Sequence, residues 1–144
     1  MTPQRVSLIT LGVADLERSK MFYSDLGWTP APRGGDTIVF YQLRGLVLGL
    51  FGHDALAEDQ NRPANELGTG AMTLALNMVD REGVDKAYQS ALHAGATSLK
   101  EPQEVFWGGY SGYYADPDGH VWEVAHNPYW SLEDDGSLTL PEPS

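Results

Sequence analysis

Two stretches of this chain carry the same order of landmarks, and that duplication restricts its possible folds more than any other feature. Val6 to Val13 is apolar and strand-like, and Asp15-Leu16-Glu17-Arg18 then opens a helix reaching about Leu26. Asp15 is its expected N-cap and Gly27 its stop. Thr37 to Leu43 and Leu46 to Phe51 read as a hairpin around Arg44-Gly45. The order then repeats. Met72 to Met78 is strand-like, Asp80 precedes a helix from about Gly83 to His93 that stops near Gly95, and Trp107 to Ala115 pairs with His120 to Ala125. A further short strand in each half, near Trp28 to Pro30 and Ala96 to Leu99, makes each half β-α-β-β-β.

The halves meet in His53 to Gly70, a polar stretch with Gly, Pro and Asn that reads as a loop. The expected organisation is one α+β domain over residues 1–130, with module one at about 1–55, a joining segment at 53–70 and module two at 71–130. Ser131 to Ser144, rich in Asp, Glu, Pro and Ser, reads as a loosely held acidic tail.

Within the second half, Asp116-Pro117-Asp118-Gly119 is turn chemistry. Pro pre-sets φ, Asp side chains accept from nearby amides, and Gly takes φ > 0. Alternation along the following strand puts Val121, Glu123 and Ala125 on one face and Trp122 and Val124 on the other. Glu123 therefore stands mid-strand among apolar neighbours, where an unpaired carboxylate is expensive.

Composition removes several function classes. The 144 residues include no cysteine, which excludes disulfides, thiolate metal sites and cysteine nucleophiles and fits a reducing cytoplasm. A net charge of -11 argues against nucleic acid and anionic membrane as partners. It is compatible both with a cationic ligand and with a merely solubilising surface. Apolar runs fall short of membrane-spanning length, and Met1 to Arg5 leads into a strand pattern without the marks of a signal peptide.

Superposing the halves on their own landmarks gives four equivalent strand positions. Asp15 laid on Asp80 pairs Leu8 with Thr73, and Gly45 laid on Gly119 pairs Gly49 with Glu123. The stretches LGVADLERSKMFYSDLGW and YYADPDGHVWEV resemble the vicinal oxygen chelate superfamily, which includes glyoxalase I, extradiol dioxygenases and bleomycin-resistance proteins. The resemblance covers about Val6 to Pro128 and implies two tandem βαβββ modules whose curled mixed sheets surround a cavity, often completed by a second subunit. In metal-dependent members those four positions hold two His and two Glu. Here they hold Leu8, Gly49, Thr73 and Glu123, and only the last is a strong donor. No metal site and no cofactor is therefore expected. A divalent metal belongs only to the alternative, a lyase, isomerase or dioxygenase with an atypical site or with Glu123 as base.

The expected ligand site is lined by Leu8, Gly49, Phe51, Thr73, Ala75, Trp107, Tyr110, Tyr114, Val121 and Glu123. In Phe106-Trp107-Gly108-Gly109-Tyr110, paired glycines let backbone come close to a large indole, which can stack on a flat ligand or fill core. Glu123 has three open roles: a remnant hydrogen-bonded to a Tyr or Trp, a binder of cationic or hydrogen-bond-donating ligands, or a base. Arg33, Arg44 and Lys100 could supply a balancing charge, and His53, His93, His120 and His126 read as solvated or capping. The expectation is a metal-independent, cytoplasmic, homodimeric protein that binds a small, flat or amphipathic organic molecule, aromatic or cationic in character.

Overall fold

The computed structural model describes residues 1–33 and 35–143. The chain divides into two compact units, residues 1–68 and 69–144.

The first unit begins with β1 (Leu8–Val13), followed by α1 (Leu16–Asp25). Asp15 caps that helix, its carboxylate accepting from the Arg18 amide at 3.1 Å. Two further strands, β2 (Ile38–Gln42) and β3 (Val47–Gly52), complete a sheet of order β1-β3-β2, with β1 parallel and β2 antiparallel to β3. Alternation assigns one face to the core: Leu11, Val13, Val39, Tyr41, Leu48 and Leu50 are buried, with Ser19, Phe22 and Tyr23 of α1. Trp28 joins this core, its ring centroid 5.5 Å from that of Tyr23 and 5.8 Å from that of Tyr41.

Two expectations for this half need correction. Trp28 to Pro30 is not a strand. Pro30 and Pro32 cannot donate to a ladder, and contact with β2 shrinks to one backbone bond, Ala31 N–H to Phe40 O at 2.7 Å. The stretch read as a loop holds a helix, α2 (His53–Asp59), and a short 3₁₀ turn at Ala64–Glu66. Its Ala55-Leu56-Ala57-Glu58 run favours helix despite the polar surroundings, and Ala57 is buried.

The second unit has β4 (Thr73–Asn77), α3 (Arg81–Ala94), β5 (Thr97–Glu104), β6 (Tyr110–Ala115) and β7 (Val121–His126). Sheet order is β4-β7-β6-β5, with β4 parallel to β7 and the other pairs antiparallel. Asp80 caps α3 through the Gly83 amide at 2.7 Å, and Gly95 ends it in the left-handed region. Val84, Tyr88 and Ala91 of α3 are buried, as are Tyr114, Trp122 and Val124 of the sheet.

β5 is much longer than the expected Ala96 to Leu99. Its later residues, Lys-Glu-Pro-Gln-Glu, suit an exposed edge rather than a core strand, so no apolar alternation announced them. The tail is also more ordered than expected. Leu132 bridges Leu138, and Glu133 and Ser137 close the turn at Asp135-Gly136.

Candidate functional site

The Asp116 turn fixes the register of the second unit. Its buried carboxylate accepts from the amides of Asp118 and His120, both at 2.9 Å, and Asp116 N–H bonds His120 O at 2.9 Å. Counting outward from that closure, Ala115 faces Val121 and Tyr113 faces Glu123. Across the sheet, Ala75, Glu123, Tyr113 and Lys100 stand in one row, with Thr73 and Val121 in the row beside it. Tyr113 is the residue directly across from Glu123. Burial, then the charge on Glu123, then a hydrogen bond to it, hold the Tyr113 phenol above its ordinary pKa.

This register puts two of the expected site residues off the face of Glu123. Tyr114 pairs with Trp122, faces α3 and is 1% exposed. Burial, helped by the Asp116 charge, pushes its phenol far up. Tyr110 donates to Asp85 Oδ1 of α3 at 2.7 Å, and its ring lies 5.0 Å from the Arg81 guanidinium carbon. Both differ from Tyr113 in strand parity, so neither shares the face of Glu123. Tyr113 was the missed residue, and the turn closure was the signal that could have found it.

Trp107 lies in the β5–β6 turn and is 40% exposed. Its ring folds back so far that a Cβ on Gly109 would sit 1.9 Å from it, while the exposed Tyr129 ring covers Gly108. Alternation carried one residue before β6 puts the Gly109 position on the face of Ser111, Tyr113 and Glu123. The indole therefore covers the end of that face.

In the first unit, the face away from the α1 core has three rows: Leu8-Val47-Gln42, Thr10-Gly49-Phe40 and Gly12-Phe51-Ile38. Gly49, in the middle row, is covered by a neighbouring ring. The Phe40 ring lies across it, 3.4 Å from where a Cβ would be. Phe51 stands two rows from Leu8, at the end where Leu56 of α2 meets Gly12. At the other end, a cleft of about 330 Å³ is lined by Ser7, Leu8, Ala31, Arg33, Phe40, Gln42 and Val47.

These donors do not fit a divalent metal. The three rows of the first unit contain no His, Cys, Asp or Glu, and the rows around Glu123 add Thr73, Ala75, Tyr113, Val121 and Lys100. Among the described residues no three His, Cys, Asp or Glu side chains cluster as a metal site would require. His53 Nε2 lies 3.3 Å from the Leu67 carbonyl oxygen, and His126 Nδ1 lies 3.1 Å from that of Met78, so each meets an acceptor.

Residues 5–124 match the family described as Glyoxalase/Bleomycin resistance protein/Dioxygenase superfamily. The chain belongs to this superfamily. A solved glyoxalase-related enzyme from Fulvimarina pelagi is 38% identical with a TM-score of 0.89, covering 97% of this chain and 100% of that one. The metallothiol transferase FosB of Lysinibacillus sphaericus is 27% identical over 123 residues, 85% of this chain and 82% of its own. An uncharacterised Mycobacterium bovis protein is 30% identical over 103 residues, 69% of this chain and 64% of its own. The chain spans 64% and 58% of the mycobacterial relatives it matches. Superfamily membership and the α+β arrangement of two mixed sheets agree with the resemblance carried by the helix opening and the DPDG turn.

Proposed function

We propose that this superfamily member is a metal-independent binding protein for a small, flat or amphipathic organic molecule. What supports the reading is donor chemistry: the positions that the resemblance equates with metal ligands hold Leu8, Gly49, Thr73 and Glu123, of which only the last is a strong donor, and Glu123 lies across from Tyr113. Such faces favour shape and stacking over coordination. On the face of the second unit, Trp107 supplies a ring for a planar ligand, and Glu123 an acceptor for a cationic or hydrogen-bond-donating group. A homodimer in the cytoplasm completes the proposal. It rests on the family resemblance and the cysteine-free composition. No helix among the described residues is long and apolar enough to cross a membrane.

The alternative is a lyase, isomerase or dioxygenase of the same superfamily, and the Glu123–Tyr113 pair is what favours it. A carboxylate beside a phenol can share the removal and return of one substrate proton. The relationship to FosB, a metallothiol transferase, keeps an enzyme in view. Native mass spectrometry and metal analysis of the purified protein separate the readings. The binding proposal expects a dimer, sub-stoichiometric Zn, Ni, Fe and Mn, and thermal stabilisation by planar heteroaromatic compounds. One equivalent of tightly held metal, lost in Glu123→Ala, overturns it.

A further inference from the structure

The geometry points to a second specificity element, in the first unit: the cleft beside β2 selects a flat organic molecule that carries an anionic group, with Arg33 as the charge reader. This deepens the proposed function, whose ligand site already includes Leu8, by naming the charge its ligand carries, and it rests on the chain being a small-molecule binder.

Leu8, Val47, Ala31 and the Phe40 ring make the walls apolar, and about 330 Å³ is at the small end of the range for organic ligands. The Phe40 ring lies across Gly49, at van der Waals distance from where a Cβ would be. Arg33 also lines the cleft, and among the described residues no hydrogen bond or ion pair engages its side chain. It is a cation at the edge of an apolar slot in a chain of net charge -11, with no carboxylate lining the slot. Pro32 restricts the backbone entering Arg33, and the Ala31–Phe40 backbone bond ties the segment before it to β2, so the Arg33 backbone is held beside the cleft that its side chain lines. Gln42 commits its amide nitrogen to the Leu43 and Leu46 carbonyls at 3.0 and 3.4 Å, which leaves Oε1 as acceptor. An aromatic carboxylate fits these features: ring on Phe40, carboxylate on Arg33.

The test uses the full chain and three probes of one shape: 2-naphthoate, neutral 2-naphthamide and cationic 2-naphthylmethylammonium. Calorimetry gives affinities, and methyl NMR of Leu8, Ala31 and Val47 gives location. Naphthoate should bind about ten-fold tighter than the amide, with shifts at those methyls. Arg33→Gln should remove the difference and leave amide binding intact, whereas Phe40→Leu should weaken both. Equal affinities, no binding, or a preference for naphthoate that survives Arg33→Gln would each overturn the proposal. The cation probe, read against Glu123→Gln, reports on the other face, so failure of the Arg33 cleft and failure of the broader binding reading give different results.

Discussion

Tyr113 and Glu123 are cross-strand partners on β6 and β7, and the phenol titrates above its ordinary value because of burial, the Glu123 charge and their hydrogen bond. Glu123→Gln keeps the shape and removes only the charge. The Tyr113 pKa should fall toward 10.0 without reaching it, since burial, the largest cause, remains. Isotope-labelled tyrosine NMR, with Tyr113→Phe for assignment, measures this. An unchanged pKa would mean that the pair is not electrostatically coupled.

The raised tyrosines set the sign of the alkaline limb of stability. Tyr41, Tyr113 and Tyr114 are all shifted upward from 10.0, with burial the largest cause in each. Above that value the unfolded chain loses these protons while the folded chain keeps them. Unfolding stability therefore falls as pH rises through the unfolded value toward the folded ones. Melting temperature should be flat near pH 8 and decline above about pH 10. Tyr113→Phe should reduce the slope of that decline, and an unaltered slope would count against a raised Tyr113.

Much of the fold was legible because local signals agreed with it. Asp15 caps the helix it was expected to cap, Asp80 precedes the helix expected after it, and the Asp116 turn closes the hairpin it was expected to close. The misreadings have separate physical causes. α2 was hidden because its short Ala-Leu-Ala core is flanked by charge, and β5 because an exposed edge strand needs no apolar period. The shared face of Val121, Glu123 and Ala125 followed from alternation along β7. Tyr110 and Tyr114 were grouped with Glu123 by proximity in sequence, whereas strand parity decides the face. The Phe40 ring over Gly49 is a cross-strand relationship that no single strand reveals.

Asp116 is 3% exposed and accepts from two amides in the turn that sets the Tyr113–Glu123 register. Asp116→Ala leaves those amides without this acceptor, so unfolding stability should drop by about 1–3 kcal/mol. Asp116→Asn retains one acceptor oxygen and should lose less. Denaturant midpoints compare the three proteins, and equal midpoints would show that water replaces the carboxylate at no cost.

Tyr41 is buried against Tyr23 and Trp28, and among the described residues its hydroxyl has no hydrogen-bond partner. Removing that oxygen relieves an unsatisfied polar group without opening a large cavity. Tyr41→Phe should therefore be neutral or stabilising in thermal unfolding. A loss above about 1 kcal/mol would show that the hydroxyl is satisfied in solution.

The Trp107 ring occupies the space above Gly109, so any side chain at 109 must displace it. Gly109→Ala is a test of the indole's role that leaves the indole in the chain. If the ring covers a ligand face, Gly109→Ala should change tryptophan fluorescence and weaken planar ligands, with little change in melting temperature. Trp107→Ala should weaken the same ligands by about 0.5–1.5 kcal/mol, the contribution of a stacking partner beyond burial. The backbone bonds that close the turn, Val105 N–H to Gly109 O and Gly108 N–H to Val105 O, both 2.9 Å, use no indole atoms and should survive in both variants. Should Trp107→Ala chiefly lower the melting temperature while affinity holds, the indole is part of the fold's core and the ligand face must be sought away from Glu123.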